Sequence, residues 1–409
     1  MPQLDDNIFQ RLALAAQVFS PSAPVHKQSL FAGRTTQLVT TINALSTRGQ
    51  HVAIYGERGV GKSSLANILS DVFKSLPANM PFNYVRVNCE RNETFKSLWL
   101  KILRELHFVI NRPKLAFTDE PQTQQINLSK YLPEEPAPED IRYILQMAPS
   151  FSIIVIDEID RVEKREVTAL LADTIKTLSD HATHASLVVV GMADSVDEMI
   201  EGLGSVERCL VQVHMPRMST EELFEIMNKA YTVLKMKIDP VAQQTIAGLS
   251  QGLPHYTHLL GLYATQEAIQ EKKENVTREH VNVAISKAIA HTQESLSNAY
   301  HQATTSGRQT LYKEVLLSCA LAKSDQLGYF APTDLRELMS RIMGKASKQS
   351  AFSRYLHDFC NEKRGRVLEK SGPRYKHRYR FKNPHLQPLV VMRGLQDGLI
   401  GLDDIAGRG

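Results

Sequence analysis

The sequence predicts an α/β protein: a parallel sheet flanked by helices, then a small all-helical domain and a C-terminal winged helix. Three observations predict it. From Leu30 to Val213 short β-rich runs alternate with helical patterns, as in a parallel sheet covered by helices. From Ser219 to about Ala299 only helical periodicity remains. Beyond that, three helical stretches precede two short β-rich runs joined by Ser371-Gly372-Pro373, which is the order of elements in a winged helix.

In chain order, residues 1–27 read as an N-terminal arm, with a helix-like stretch from Ile8 to Val18 and a turn-rich Ser20-Pro21-Ser22-Ala23-Pro24. The sheet domain, 28–218, supplies five strands: His51 to Tyr55, Tyr84 to Asn88, Ile153 to Ile156, Leu187 to Val190 and Leu210 to Val213. Between about Asn111 and Pro138 the pattern fails in a polar stretch holding Pro121, Pro133 and Pro136, which reads as an insertion or mobile loop. The helical domain, 219–294, has start signals at Ser219 with Glu222 three residues on, at Asp239-Pro240 and at Thr277. A polar linker, 295–308, leads to the last unit, 309–409. There Gln309 to Leu321, Pro332 to Ile342 and Ser347 to Cys360 read as helices, and Arg366 to Glu369 pairs with Arg378 to Phe381.

Composition sets the outer limits. A chain of 409 residues with 43% hydrophobic and 22% charged residues has room for two or three ordinary globular domains. The net charge of +4 is mild but uneven, since Arg336 to Lys382 is rich in Lys and Arg. Cys89, Cys209, Cys319 and Cys360 form no C-x-x-C pair, so neither a zinc site nor a disulfide framework is expected, and a reducing cytoplasm fits best. No apolar run reaches the roughly 18 residues that a membrane span needs, and the N-terminus lacks an export signal.

The chemistry starts at Gly56-Glu57-Arg58-Gly59-Val60-Gly61-Lys62-Ser63, which fills the phosphate-binding pattern G-x-x-x-x-G-K-[ST] between a strand and a helix. Gly56, Gly59 and Gly61 let backbone N–H groups curl around a phosphate, with Val60 between them and Ser64 opening the helix whose N-terminus points at the same anion. Lys62 reaches the β and γ phosphates, and the Ser63 hydroxyl ligates magnesium. The sheet is therefore that of a P-loop NTPase. The strand Ile153 to Ile156 ends in Asp157-Glu158, which places Asp157 on the hydrated magnesium ion and Glu158 on the attacking water. The next strand runs into Gly191-Met192-Ala193-Asp194-Ser195. Asp194, or Ser195 in its place, would orient the water or sense the γ phosphate; equally, Asp194 would cap the following helix.

With these residues in view, Asp157-Glu158-Ile159-Asp160-Arg161-Val162 resembles the D-E-hydrophobic-D box of AAA+ ATPases of the initiator clade, the origin-recognition-like group. Ala193-Asp194-Ser195-Val196-Asp197 is similar to that clade's sensor-one segment, although the family usually has Asn or a neutral polar residue where Asp194 stands. Leu30-Phe31-Ala32-Gly33-Arg34 looks like the motif by which the chain passes the adenine, so the resemblance implies ATP rather than GTP and gives Gly33 and Arg34 as nucleotide neighbours. Gly252-Leu253-Pro254-His255 lacks the lid arginine of many AAA+ proteins and looks more like the G-x-P motif of STAND ATPases. That likeness makes Pro254 and His255 nucleotide contacts; the plain alternative is a helix start with Pro in its first turn. Arg208 stands where the clade holds an arginine finger that reaches a neighbouring subunit, with Arg217 as second candidate and a surface arginine as the bland reading.

The C-terminal unit is basic. Lys348 and Arg354 lie along the third helix, and Arg374, Lys376, Arg378 and Arg380 alternate with Tyr375 and Tyr379 on the hairpin. Alternation puts those four cations on one face, suited to DNA phosphates, though winged helices also dock proteins. The expectation is an ATP- and Mg2+-dependent switch that forms homo-oligomers and loads on duplex DNA. Its rivals are a STAND-type scaffold that recruits a protein effector, and a DNA-targeting ATPase of a mobile element or phage-defence system.

Overall fold

The structure is a computed structural model and describes residues 6–25, 28–75, 82–111, 123–199, 206–308, 310–373 and 376–406. The arm forms α1 (Asp6–Val18), and α2 (Thr35–Ser46) leads into β1 (His51–Gly56) and α3 (Lys62–Lys74). There follow β2 (Phe82–Asn88), α4 (Phe95–Glu105), β3 (Phe108–Asn111), β4 (Thr123–Ile126), α5 (Pro138–Gln146), β5 (Phe151–Asp157), α6 (Arg165–Asp180), β6 (Ala185–Met192), α7 (Val196–Met199) and β7 (Leu210–His214).

Five strands form one parallel sheet in the order β2-β5-β6-β1-β7. Ile153 to Ile156 and Leu187 to Val190 are fully buried, as apolar runs must be when helices cover both faces. The chain leaves β1 through α3 and crosses over two strands to the edge at β2, so the carboxyl end of β1 opens at a switch point where an α/β sheet binds ligands. The fold is that of a P-loop NTPase, with all five expected strands present.

The stretch expected to be an insertion or mobile loop carries local structure where it is described. β3 and β4 pair as an antiparallel hairpin, with Phe108 opposite Ile126, and Leu128–Tyr131 form a 3-10 turn.

The helical domain holds α8 (Thr220–Leu234), β8 (Lys237–Ile238), α9 (Pro240–Ser250), α10 (Pro254–Gln270), β9 (Asn275–Val276) and α11 (Arg278–Ala290). α8 starts with a reciprocal cap in which Ser219 Oγ accepts the Glu222 N–H at 3.3 Å and Glu222 Oε2 accepts the Ser219 N–H at 2.9 Å. Most of the stretch read as a linker is helix α12 (Glu294–Thr304). Then come α13 (Tyr312–Leu321), α14 (Leu335–Met343), α15 (Ser353–Phe359), β10 (Leu368–Ser371), β11 (Arg378–Phe381), α16 (Leu386–Gln396) and α17 (Asp403–Ala406). The hairpin pairs Leu368 with Phe381 and Ser371 with Arg378. Its first strand starts later than expected because Gly365 and Arg366 have φ of 73° and 44°, a turn conformation that no strand contains.

One apolar core covers a face of the sheet and runs on, through Leu223, Ile246 and Leu260, into Leu316, Phe352 and Leu389 of the C-terminal unit. A separate core under α4, α5 and α6 covers the other face. The C-terminal unit therefore packs as part of the body, and α16, whose Leu389 to Met392 are buried, was not anticipated from the sequence.

Candidate functional site: a nucleotide cavity

The phosphate loop is shaped by its glycines. Gly56 has φ 146°, and a Cβ there would collide with the Met215 carbonyl. Gly59 has φ 86°, and a Cβ would lie 2.8 Å from His385 Nε2. L-side chains rarely adopt such backbone. Lys62, buried at the first turn of α3, donates from Nζ to the carbonyls of Gly56 at 2.9 Å and Glu57 at 2.8 Å.

Burial lowers the Lys62 pKa to about 8, against the pull of Asp160, Asp157 and Glu57. Phosphate binds the protonated form. ATP affinity is therefore expected to be flat at neutral pH and to fall as pH rises through about 8, with proton uptake on binding in that upper range. Titration of a fluorescent ATP analogue across this range checks it, and an affinity that rises with pH would contradict it.

A cavity of about 720 Å³ opens over this loop, of the size that holds a small ligand. Gly59, Gly61, Lys62, Ser63 and Ser64 line one end with Asp157 and Glu158. Pro21, Ala23, Pro24, Val25, Phe31, Met218 and Ile226 give it apolar walls, joined by Pro254, His255 and His258 at the start of α10. Pro254 is both the first residue of that helix and a wall of the cavity. His255 Nδ1 lies 2.7 Å from the Pro21 carbonyl, and the Val25 N–H donates to Ser64 Oγ at 3.1 Å, so the arm is tied to the site on both sides.

Ser63 Oγ donates to Asp157 Oδ2 at 2.9 Å, which brings the two expected magnesium ligands together. Hard oxygens of this kind, completed by phosphate and water, suit magnesium. Among the described residues no cluster of three His, Cys, Asp or Glu offers an alternative metal centre. Glu158 sits in the left-handed region at φ 59°; its Oε2 accepts Arg161 Nη1 at 2.7 Å. Asp160 accepts the Met192 N–H at 2.7 Å.

Gly33 and Arg34 bind the loop to the helical domain. The Gly33 N–H donates to Glu225 at 2.9 Å and the Arg34 N–H to Glu222 at 3.0 Å. The buried Arg34 guanidinium donates from Nη2 to the Val60 carbonyl at 3.1 Å and to the Pro216 carbonyl; Arg34 lines the cavity, and its Nε has no partner among the described residues.

Three expectations are corrected. Asp194 does not line this cavity: the chain turns after Met192, and Asp194 faces a second cavity of about 510 Å³, where it accepts Arg380 Nη1. Its own N–H donates to Glu198 at 2.9 Å. Arg217 is no free finger, since its guanidinium grips Glu57 at 2.6 and 2.9 Å and donates to Gln387 Oε1 at 2.6 Å. The hairpin is not a strip of free cations either. Tyr379 is buried behind Arg378 and Arg380, as alternation requires, but Arg378 pairs with Asp325 at 2.7 Å and Arg380 pairs with both Asp194 and Glu369. Burial pulls the Arg380 pKa down and these two carboxylates more than reverse it.

Lys376, Lys348 and Arg354 remain exposed, Arg354 with Asp358 at 3.8 Å; Arg374 and Tyr375 lie outside the described residues. Arg208 is exposed and pairs with Asp180, away from both cavities.

Sequence reasoning missed what the C-terminal unit brings to the site. His385 lines the same cavity above Gly59 and packs edge-on against His255 at 5.2 Å. Burial lowers its pKa to about 4, helped by His255, Arg58 and Arg217, so it is neutral at physiological pH. The only cue in the sequence was a lone histidine after Asn383-Pro384.

A family model described as an AAA domain matches residues 45–200, the stretch that carries the phosphate loop and Asp157-Glu158. Among solved structures, the Orc1 protein of Aeropyrum pernix in complex with DNA is 16% identical over 93% of this chain and 96% of that one, with a TM-score of 0.48. Cdc6p from Pyrobaculum aerophilum is 15% identical over 94% and 99%, with a TM-score of 0.47. The RuvB Holliday junction branch migration motor of Thermotoga maritima is 14% identical over 85% and 92%, at 0.45. No curated protein matches.

Proposed function

We propose that this protein is a magnesium-dependent ATPase switch that oligomerises and binds duplex DNA through its basic C-terminal unit, read as a winged helix. The observation that carries the ATPase reading is the convergence of Lys62, Ser63, Asp157 and Glu158 on one cavity at the switch point of the sheet. Lys62 would leave the loop carbonyls for the β and γ phosphates. Ser63 and Asp157 would hold magnesium, which when bound neutralises charge on the phosphates. Glu158 would take a proton from the attacking water. The apolar walls supplied by the arm and Pro254 would take the adenine, and exposed Arg208 would act as a finger in trans.

The contacts of the C-terminal unit would hold one position of the switch. In this state Arg217 locks Glu57 to Gln387, Arg380 is spent on Asp194 and Glu369, and His385 covers Gly59. DNA binding by the hairpin would require Arg378 and Arg380 to leave their carboxylates. The same closed contacts favour a second reading, a STAND-type scaffold in which bound nucleotide holds the C-terminal unit down until a protein effector is recruited. A DNA-targeting ATPase of a mobile element or phage-defence system is the third.

ATP turnover at rising protein concentration, with and without duplex DNA and at two salt concentrations, tests the first reading. Stimulation by DNA that fades with salt and grows with concentration is expected, and Arg208→Ala should remove the concentration dependence while ATP binding stays intact. Slow turnover indifferent to DNA would overturn it in favour of the scaffold.

A further inference from the structure

We infer that Arg86 is a resident cation of the magnesium site, which a divalent ion must displace from Asp157, so that Arg86 sets how strongly nucleotide binding depends on metal. The inference rests on the nucleotide-site reading above. Arg86 lies on β2, the strand next to β5, two residues before Asn88, which stands level with Asp157. Val85 and Val87 turn into the core on one face of the sheet, which sends Arg86 to the other face, toward α3. There its Nη2 donates to Asp157 Oδ2 at 2.5 Å, the same oxygen that accepts Ser63 Oγ at 2.9 Å. Asp157 Oδ1 accepts the Glu158 N–H at 2.8 Å.

The second arm of the guanidinium is also held. Nη1 donates to Asn67 Oδ1, and Asn67 lies four residues beyond Ser63 on the same face of α3. Arg86 is thus fixed at two points across the gap between the helix and the strand end, beside both expected magnesium ligands.

The physical reason is charge. Asp157 is 2% exposed, and a carboxylate so far from water needs a counter-charge. Lys62 spends its ammonium on the loop carbonyls, so the neighbouring strand supplies one. A guanidinium on Oδ2 has two effects on ligand binding. It reduces the repulsion between Asp157 and a nucleotide that arrives without metal, and it would weaken the carboxylate's hold on a divalent ion. Both effects shrink the gap between metal-free and metal-loaded affinity.

An outer partner that merely orients a metal ligand predicts the opposite sign, because losing such a partner costs about 10- to 100-fold in metal affinity.

The test is the ratio of the Kd for a fluorescent ATP analogue in EDTA to the Kd in saturating Mg2+, for the wild-type protein and for Arg86→Gln. The inference expects the ratio to increase in the variant by about tenfold, and Mg2+ to restore a melting temperature that the metal-free variant has lost. Asn67→Ala, which frees one arm of the guanidinium and leaves its charge in place, provides a milder variant should Arg86→Gln fold poorly, and should move the ratio in the same direction by less. An unchanged or smaller ratio overturns the inference and assigns Arg86 to orienting Asp157. If the wild-type protein does not bind the analogue with or without Mg2+, the nucleotide-site reading itself fails.

Discussion

Lys62→Ala is expected to raise the Kd for ATP by about 100-fold. A charge-assisted hydrogen bond is worth roughly 1.5–3 kcal/mol, each 1.4 kcal/mol is about tenfold in affinity, and the ammonium would serve two phosphates at once. The loss should appear in binding itself, because Lys62 sits inside the loop and not across a subunit boundary. Removing Nζ also strips the Gly56 and Glu57 carbonyls of their donor, so a modest fall in melting temperature is expected alongside. Direct titration with a fluorescent ATP analogue, run beside a thermal melt, separates the two effects. A folded variant that binds ATP as well as the wild type would remove the phosphate loop from the site.

The phosphate loop and the Asp157 strand were legible in the sequence for a local reason. Gly56 to Ser63 are contiguous, and Asp157 follows four apolar residues that can only be a buried strand, so each motif carries its own context. The five strands were legible because apolar runs of that length alternate with helical periodicity. What escaped was tertiary. Arg86 sits in Phe82–Asn88, where alternation with Val85 and Val87 makes it look like the solvated face of an edge strand, and nothing local says that Asp157 is its neighbour. Arg217 and Glu57 are 160 positions apart, as are Asp194 and Arg380 by 186, and pairing between carboxylates and guanidinium groups is not periodic. Arg378 and Arg380 share a face of β11, yet each is paired with a carboxylate, because a sequence shows which charges a strand presents and not which acids come to meet them. The Arg366 end of the hairpin failed for a backbone reason, a positive φ at a residue whose type does not advertise one.

Glu158→Gln is expected to bind ATP within a few-fold of the wild type and to hydrolyse it roughly 10²–10⁴-fold more slowly, because the amide keeps the shape of the side chain and cannot accept a proton. Single-turnover hydrolysis checks this without interference from product release. The structure adds a condition: Glu158 Oε2 is held by Arg161 at 2.7 Å, and both side chains are about half exposed. An ion pair in that setting is weak, so it can open when ATP arrives, and Arg161→Ala reads out its role. Faster turnover in Arg161→Ala would mean that the pair keeps Glu158 away from the water between cycles. Slower turnover would mean that Arg161 aims the carboxylate. If Glu158→Gln turned over like the wild type, Asp160 would be the remaining base among the cavity's carboxylates, since Asp157 is held by Ser63, Arg86 and the Glu158 N–H. Asp160 already accepts the Met192 N–H at 2.7 Å, and a carboxylate fixed to the end of β6 is poorly placed to follow a water through the reaction. The left-handed backbone at Glu158 turns the chain between Asp157, which faces Ser63, and Asp160, which faces β6, and it leaves Glu158 as the cavity carboxylate whose side chain, among the described residues, is held by one exposed arginine.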